Sequence, residues 1–126
     1  MPVNDALKDR LSRYRRITIT VTGRKSGRPH SYPVWFVSDV VKNVVMNKEK
    51  LYLLPARGSD TQWYRNVLKK PSILIDARGV EAKLKVVPVT GAKQVKSVIK
   101  MFRAKYGASG IALYSKLDVA LVAEVK

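Results

Sequence analysis

The sequence predicts a mainly β, α+β fold: a small barrel of about six antiparallel strands with two or three short helices inserted. Three observations carry this expectation. Residues 17–22, Ile-Thr-Ile-Thr-Val-Thr, alternate strictly and are β-branched throughout, which suits a half-buried strand. Further strand-like runs follow at 31–37, 50–54, 72–77, 80–89 and 119–125, separated by short connections. Helical periodicity is confined to three short segments.

Taken in order, residues 5–15 form an amphipathic helix, with Leu7, Leu11 and Tyr14 at helical spacing among Lys8, Arg10 and Arg13. The 17–22 strand runs directly into the loop 23–29. Pro33 marks the 31–37 strand as bulged or at an edge. The stretch 38–49 reads two ways: it continues that strand or forms another, with Lys42-Asn43 and Asn47-Lys48 as candidate turns. The strand 50–54 ends at Pro55, and the loop 56–60 supplies an N-cap for a helix over 61–70. Trp63, Val67 and Leu68 share one face of that helix, basic residues gather at its end, and Pro71 stops it. The strands 72–77 and 80–89 form a hairpin around Arg78-Gly79. A helix over 92–106 has Val95, Val98, Ile99 and Phe102 as its stripe and breaks at 107–110.

A chain of 126 residues suits a single domain over 1–126. Such a domain buries roughly two-thirds of the surface its unfolded chain exposes, so a deep pocket is expected to be shared with a second copy. No apolar run approaches the ~20 residues that span a bilayer. The segment Met1-Pro2-Val3-Asn4-Asp5 lacks a signal-peptide core, so a cytoplasmic location is expected. The absence of cysteine excludes thiol catalysis, disulfides and cysteine–metal sites. His30 is the only histidine, which argues against a zinc site, and no metal is expected. The balance of 25 Lys+Arg against 9 Asp+Glu gives a formal charge of +16. That field attracts polyanions: nucleic acid, anionic lipid, or a phosphorylated and carboxylated cofactor. The cations are spread along the chain, as on a basic folded surface.

The loop Thr22-Gly23-Arg24-Lys25-Ser26-Gly27-Arg28-Pro29 has the chemistry of an anion site. Its glycines permit backbone conformations that aim successive N–H groups at one concavity. Arg24 offers a fork of donors, Lys25 a point charge and Ser26 a hydroxyl. The same residues suit a solvated basic hairpin turn, and the spacing leaves both readings open. It is not a Walker A loop. A second constellation is Leu54-Pro55-Ala56-Arg57-Gly58, followed by Trp63-Tyr64-Arg65-Asn66 and Pro71. Here Trp63 serves equally as a core anchor and Asn66 as a capping residue, while Gly58 permits the close backbone approach that a flat ring needs.

In this order and spacing, Thr22–Gly27, Tyr32-Pro33-Val34, Leu51–Leu54, Trp63–Asn66 and Lys70-Pro71 resemble the deazaflavin-dependent nitroreductase family, within the flavin-binding split-barrel superfamily. The resemblance covers about residues 17–89. It implies a homodimeric split β-barrel that binds the deazaflavin coenzyme F420 or, as in relatives, flavin mononucleotide (FMN). It implies that Arg24, Lys25, Ser26 and Gly27 cradle the cofactor phosphate. Tyr32, Pro33, Leu54 and Ala56 would line the ring, with Trp63 and Asn66 bracing the wall behind it. His30 stands where the family often has arginine, which places it at a phosphate or tail contact.

The reaction this implies is hydride transfer between the cofactor and a small organic acceptor, as in nitroreductases and quinone reductases. Such chemistry needs no protein nucleophile, which fits a chain without cysteine. Tyr106 and Tyr114 are candidate proton or hydrogen-bond donors and equally ordinary packing residues. His30 is another candidate acid, imidazole being the side chain that titrates nearest neutrality. Two rival readings remain. A nucleic-acid-binding barrel would use Tyr32, Trp35, Tyr52 and Tyr64 among basic residues, but these sit in strand- or helix-patterned apolar segments that favour the core. A non-catalytic flavin or deazaflavin carrier would share the fold.

Overall fold

A computed structural model describes residues 7, 10, 11, 13–42 and 47–125. The β-branched alternation forms β1 (Arg16–Thr22), with Ile17, Ile19 and Val21 buried and the threonines half-exposed. There follow β2 (Pro29–Lys42), β3 (Asn47–Leu53), a 3-10 turn (Gly58–Asp60), α1 (Gln62–Lys69), β4 (Ser72–Ala77), β5 (Val80–Val89), α2 (Ala92–Ile111) and β6 (Ala120–Val125). The six strands close into an antiparallel barrel in the order β1-β2-β3-β6-β5-β4. The mainly β barrel read from the sequence is the observed fold.

Two strands make the barrel a split one. The first half of β2 pairs with β1, from Thr22↔Pro29 to Arg16↔Trp35, and the second half pairs with β3, from Phe36↔Leu53 to Lys42↔Asn47. β5 likewise pairs with β4 up to Ser72↔Lys85 and with β6 from Val86↔Ala123 onward. Among the described residues, the edge of residues 29–35 that faces away from β1 has no strand neighbour. This leaves a seam in the barrel wall.

The inward side chains of all six strands fill the barrel. Phe36, Ile19, Leu51, Ile75 and Leu121 are fully buried, and Trp63, Tyr64 and Val67 of α1 join the same cluster. Each large aliphatic or aromatic side chain so buried contributes roughly 1.5–3 kcal/mol. Residues 7, 10, 11 and 13 are helical, and Leu7 and Leu11 enter this core; Tyr14 and Arg15, also expected in the helix over 5–15, are not helical, and its other positions lie outside the described residues. A second cluster forms outside the barrel, where Val98, Phe102 and Tyr106 of α2 cover Val37, Leu54 and Ala120. Trp35 stacks on Tyr106 there, with centroids 4.4 Å apart and planes 4° from parallel.

Four local expectations change. Lys42 is a strand residue because β2 continues for 14 residues across both sheets, and Asn47 and Lys48 open β3; the connection between β2 and β3 lies outside the described residues. Leu68 is 51% exposed, while Tyr64 and Asn66 are buried in its place. The N-cap of α1 is Thr61, and its hydroxyl reaches back to accept the Arg57 N–H at 2.9 Å instead of capping the helix. Gly107 (φ 81°) breaks α2 where glycine was expected to, but helical backbone resumes from Ala108 to Ile111. Among the described residues no helix is long and apolar enough to cross a membrane.

Candidate functional site

The loop between β1 and β2 is ordered by its own short-range bonds. Gly23 N donates to Arg28 O (2.8 Å), Gly27 N to Gly23 O (2.9 Å) and Arg28 N to Ser26 Oγ (3.2 Å). Gly27 sits at φ 69°, a conformation that glycine adopts without strain. Gly23 matters for a different reason. A Cβ there would lie 2.7 Å from Ser26 Oγ and 2.8 Å from His30 Nε2, so only glycine lets both side chains converge.

Arg24 is held by neutral partners. Its backbone N–H and its Nη1 both donate to Asn66 Oδ1, at 3.1 and 2.8 Å, and its Nη2 donates to Gln62 Oε1 at 2.9 Å. Two amide oxygens from one face of α1 therefore fix the guanidinium without cancelling its charge, and its remaining donors stay available. Asn66, 5% exposed, is a buried polar residue in α1, and this bonding accounts for its burial. Arg24, Lys25, Ser26, His30, Tyr32 and Asn66, with Gly23 and Gln62, line a cleft of about 290 Å³. Gly27 lines a second hollow, which shares Arg24, Lys25 and Ser26 with that cleft and adds Lys69 and Lys70.

A second cleft, of about 330 Å³, opens at the seam. Pro33, Val34 and Trp35 of the unpaired edge form one wall. Leu54, Ala56 and Trp63 form another, and Leu113 and Tyr114 close the top, with Arg16 at the start of β1 as its charged member. The two clefts draw on consecutive residues of the same strand, Tyr32 and Pro33, and of the same helix, Gln62 and Trp63. A basic compartment and an apolar one thus lie along one stretch of backbone.

The two candidate tyrosines part company. Tyr114 lines the apolar cleft, and burial, with Tyr106 nearby, pushes its hydroxyl well above the usual range. Tyr106 lines neither cleft. Its hydroxyl accepts the Phe36 N–H at 3.1 Å and lies 2.8 Å from Phe36 O and 2.7 Å from Arg15 O. Tyr106 clamps β2 to α2 through the backbone.

The family model described as "Uncharacterized protein conserved in bacteria (DUF2255)" matches residues 8–120. The chain belongs to this family. No curated protein matches it significantly. Among solved structures, an F420-H2 dependent reductase (FDR-A) superposes with a TM-score of 0.59 at 18% identity, over 86% of this chain and 93% of that one. The heme storage protein HutZ from Vibrio cholerae superposes at 0.63 and 14% identity, over 99% and 90%. A protein from Listeria innocua assigned as a pyridoxamine 5′-phosphate oxidase superposes at 0.64 and 12%, over 98% and 93%. At these identities the likeness is one of fold. The motif resemblance thus meets a split barrel in the structure, and the family shown is DUF2255.

In this DUF2255 chain, several cleft residues escape sequence reading. Gln62, Arg16, Trp35 and Leu113 reach the site through barrel closure and helix docking, and no spacing links them to the glycine loop. A polar tie also goes unannounced. Ser59 Oγ and N donate to Asp118 at 2.5 and 2.9 Å, Lys116 Nζ lies 3.4 Å from Asp60 and 3.7 Å from Asp118, and Ser115 N donates to Ala56 O at 2.9 Å. Partial burial alone would raise the Asp118 carboxyl, but the Ser59 hydroxyl and amide and the Lys116 charge hold it below the usual range. Exposed ion pairs of this kind contribute little stability. Their effect is geometric: they fasten the connector carrying Ala56 to the one carrying Leu113 and Tyr114.

Proposed function

We propose that this chain is a reductase that binds a deazaflavin or flavin cofactor and passes hydride to or from a small organic acceptor. The observation that carries the reading is the junction of the two clefts, in which a cationic cradle leads along β2 and α1 into an apolar slot. That is the arrangement a ring-bearing phosphate ester requires. The cradle fits a phosphate on its own evidence. Gly23 admits Ser26 and His30 at close range, and Arg24 is oriented by amides that leave its charge whole.

In this reading Arg24, Lys25 and Ser26 hold the phosphate, with Gly27 shaping the turn and His30 beside it. Tyr32 stands at the junction. Pro33, Leu54, Ala56 and Trp63 flank the ring and exclude water, and Asn66 sets Arg24. The cofactor supplies the carbon that carries the hydride. Tyr114, kept neutral by burial, offers a hydrogen bond inside the slot. Coenzyme F420 is the first candidate and FMN the alternative. The chain is read as one domain in a homodimer, the assembly that the motif resemblance implies. The nucleic-acid reading loses its aromatic platform, since Tyr64 is buried and Tyr32, Trp35 and Tyr52 are half-buried.

The test is a titration of the purified protein with FMN and with the reduced deazaflavin, followed by fluorescence. Binding of either is expected, and no binding at tens of micromolar overturns the proposal. Arg24→Ala with Lys25→Ala should weaken binding strongly, each lost charged hydrogen bond costing about 1.5–3 kcal/mol. Binding without turnover of nitro or quinone acceptors identifies a carrier.

A further inference from the structure

We infer that Arg16 makes the apolar cleft prefer the negatively charged, reduced form of a bound flavin-type ring over the neutral oxidised form. The inference rests on the cofactor reading above. Of the residues lining the slot, Arg16 alone carries a charge. It is the first residue of β1, set opposite Trp35 in the register, and its guanidinium has no acidic or hydrogen-bonding partner among the described residues.

The neighbouring cations are engaged elsewhere. Arg15 Nη2 donates to Lys105 O at 3.2 Å, and its guanidinium stands 5.2 Å from the Tyr106 ring. Lys105 Nζ donates to Phe36 O at 2.8 Å and sits 3.7 Å above the Phe36 ring. Neither lines the slot. Tyr114, the other ionisable lining residue, contributes a neutral hydroxyl. Any charge selectivity in the slot therefore falls to Arg16.

Its physical basis is simple. A hydride brings two electrons and one proton, so a neutral ring that accepts one gains a full negative charge, which persists until a second proton arrives from water. Arg16 is exposed at the margin of the slot, but Trp35, Trp63 and Leu54 wall the slot itself, so its charge acts partly across a poorly screening wall and stabilises the anion more than it affects the neutral ring. A ligand that only needs shape and apolar contact has no use for Arg16. One that alternates between neutral and anionic states does.

The experiment compares dissociation constants of the oxidised and dithionite-reduced cofactor, and the midpoint potential of the complex, using whichever of FMN and the deazaflavin the wild-type protein binds. Arg16→Gln should leave oxidised-form affinity within about twofold and weaken reduced-form affinity about tenfold, a fall of about 30 mV for a two-electron couple. Arg16→Lys should restore most of the difference. Lys83→Gln, which removes one exposed charge from β5, should leave the ratio unchanged. Equal weakening of both forms by Arg16→Gln, no change in either, or the same shift from Lys83→Gln overturns the inference while the cofactor reading stands. Failure of the wild-type protein to bind either cofactor overturns both.

Discussion

The backbone amide and the guanidinium of Arg24 hang from a single atom, the side-chain oxygen of Asn66, at 3.1 and 2.8 Å. Asn66→Ala should therefore destabilise the fold by about 1–3 kcal/mol, because it strands donors in a partly buried place. It should also weaken phosphate-bearing ligands without touching them. Asn66→Asp separates the two effects. A carboxylate keeps the hydrogen bonds but neutralises the guanidinium, so stability should hold while ligand affinity falls. Urea unfolding and an FMN titration on both variants check this.

The glycines at 27 and 58 share a left-handed backbone but not a neighbourhood. A Cβ at Gly27 meets nothing within 4 Å, whereas at Gly58 it runs into Asp118 Oδ1 and sits 3.0 Å from Lys116 O. Gly27→Ala should cost only the backbone strain, about 1–2 kcal/mol, and Gly27→Asn less. Gly58→Ala should cost more, since it also displaces the carboxylate that Ser59 holds. Midpoints of urea denaturation rank the three variants.

Tyr106 and Tyr114 should respond oppositely to loss of the hydroxyl. Tyr106→Phe leaves the buried Phe36 N–H without its acceptor, a loss of about 1–3 kcal/mol, with cofactor affinity unchanged. Tyr114→Phe should barely move the melting temperature and should lower turnover several-fold. Thermal melts paired with single-turnover kinetics distinguish the two roles.

Burial, reinforced by Arg15, lowers Lys105 from the usual 10.5 to about 8. Between those values the unfolded chain binds more protons than the folded one, so Lys105 makes stability rise with pH across that window. Below pH 8 both states are protonated and its unfavourable contribution is constant. Near pH 10 and above the trend reverses, because burial raises the Tyr64, Tyr106 and Tyr114 hydroxyls and the folded state keeps their protons longer. Urea melts from pH 7 to 10 should show the rise in the wild-type protein and a flatter curve in Lys105→Met.

The legible parts of this molecule are those whose cause is local. The Ile17–Val21 alternation, the Arg78-Gly79 hairpin and the break at Gly107 each follow from a few neighbouring residues. The glycine loop is equally local, and its residues from Gly23 to Ser26 line one cleft. What escaped is set by closure of the barrel. Residues 38–42 continue the 31–37 strand, one of the two readings the sequence left open, but no periodicity announces that this strand passes between two sheets. Leu68 suits an apolar helical stripe, yet α1 turns Asn66 inward to meet a residue 42 positions away. Arg16, Gln62 and Asp118 are ordinary surface residues until distant segments dock beside them.

The unpaired half of β2 carries a further consequence. An open strand edge invites another chain to add itself as the next strand, the usual route to aggregation. Here Pro29 and Pro33 leave two of the seven residues along that half without an N–H. Arg24 and Lys25 stand in the loop that leads into it, and Trp63 of α1 lines the same cleft as Pro33, Val34 and Trp35. The gap proposed to hold a ligand is thereby less open to another strand. Filling the cleft and guarding the edge are one structural solution, so a substitution such as Pro33→Val, harmless to the barrel core, should be judged by solubility as much as by binding.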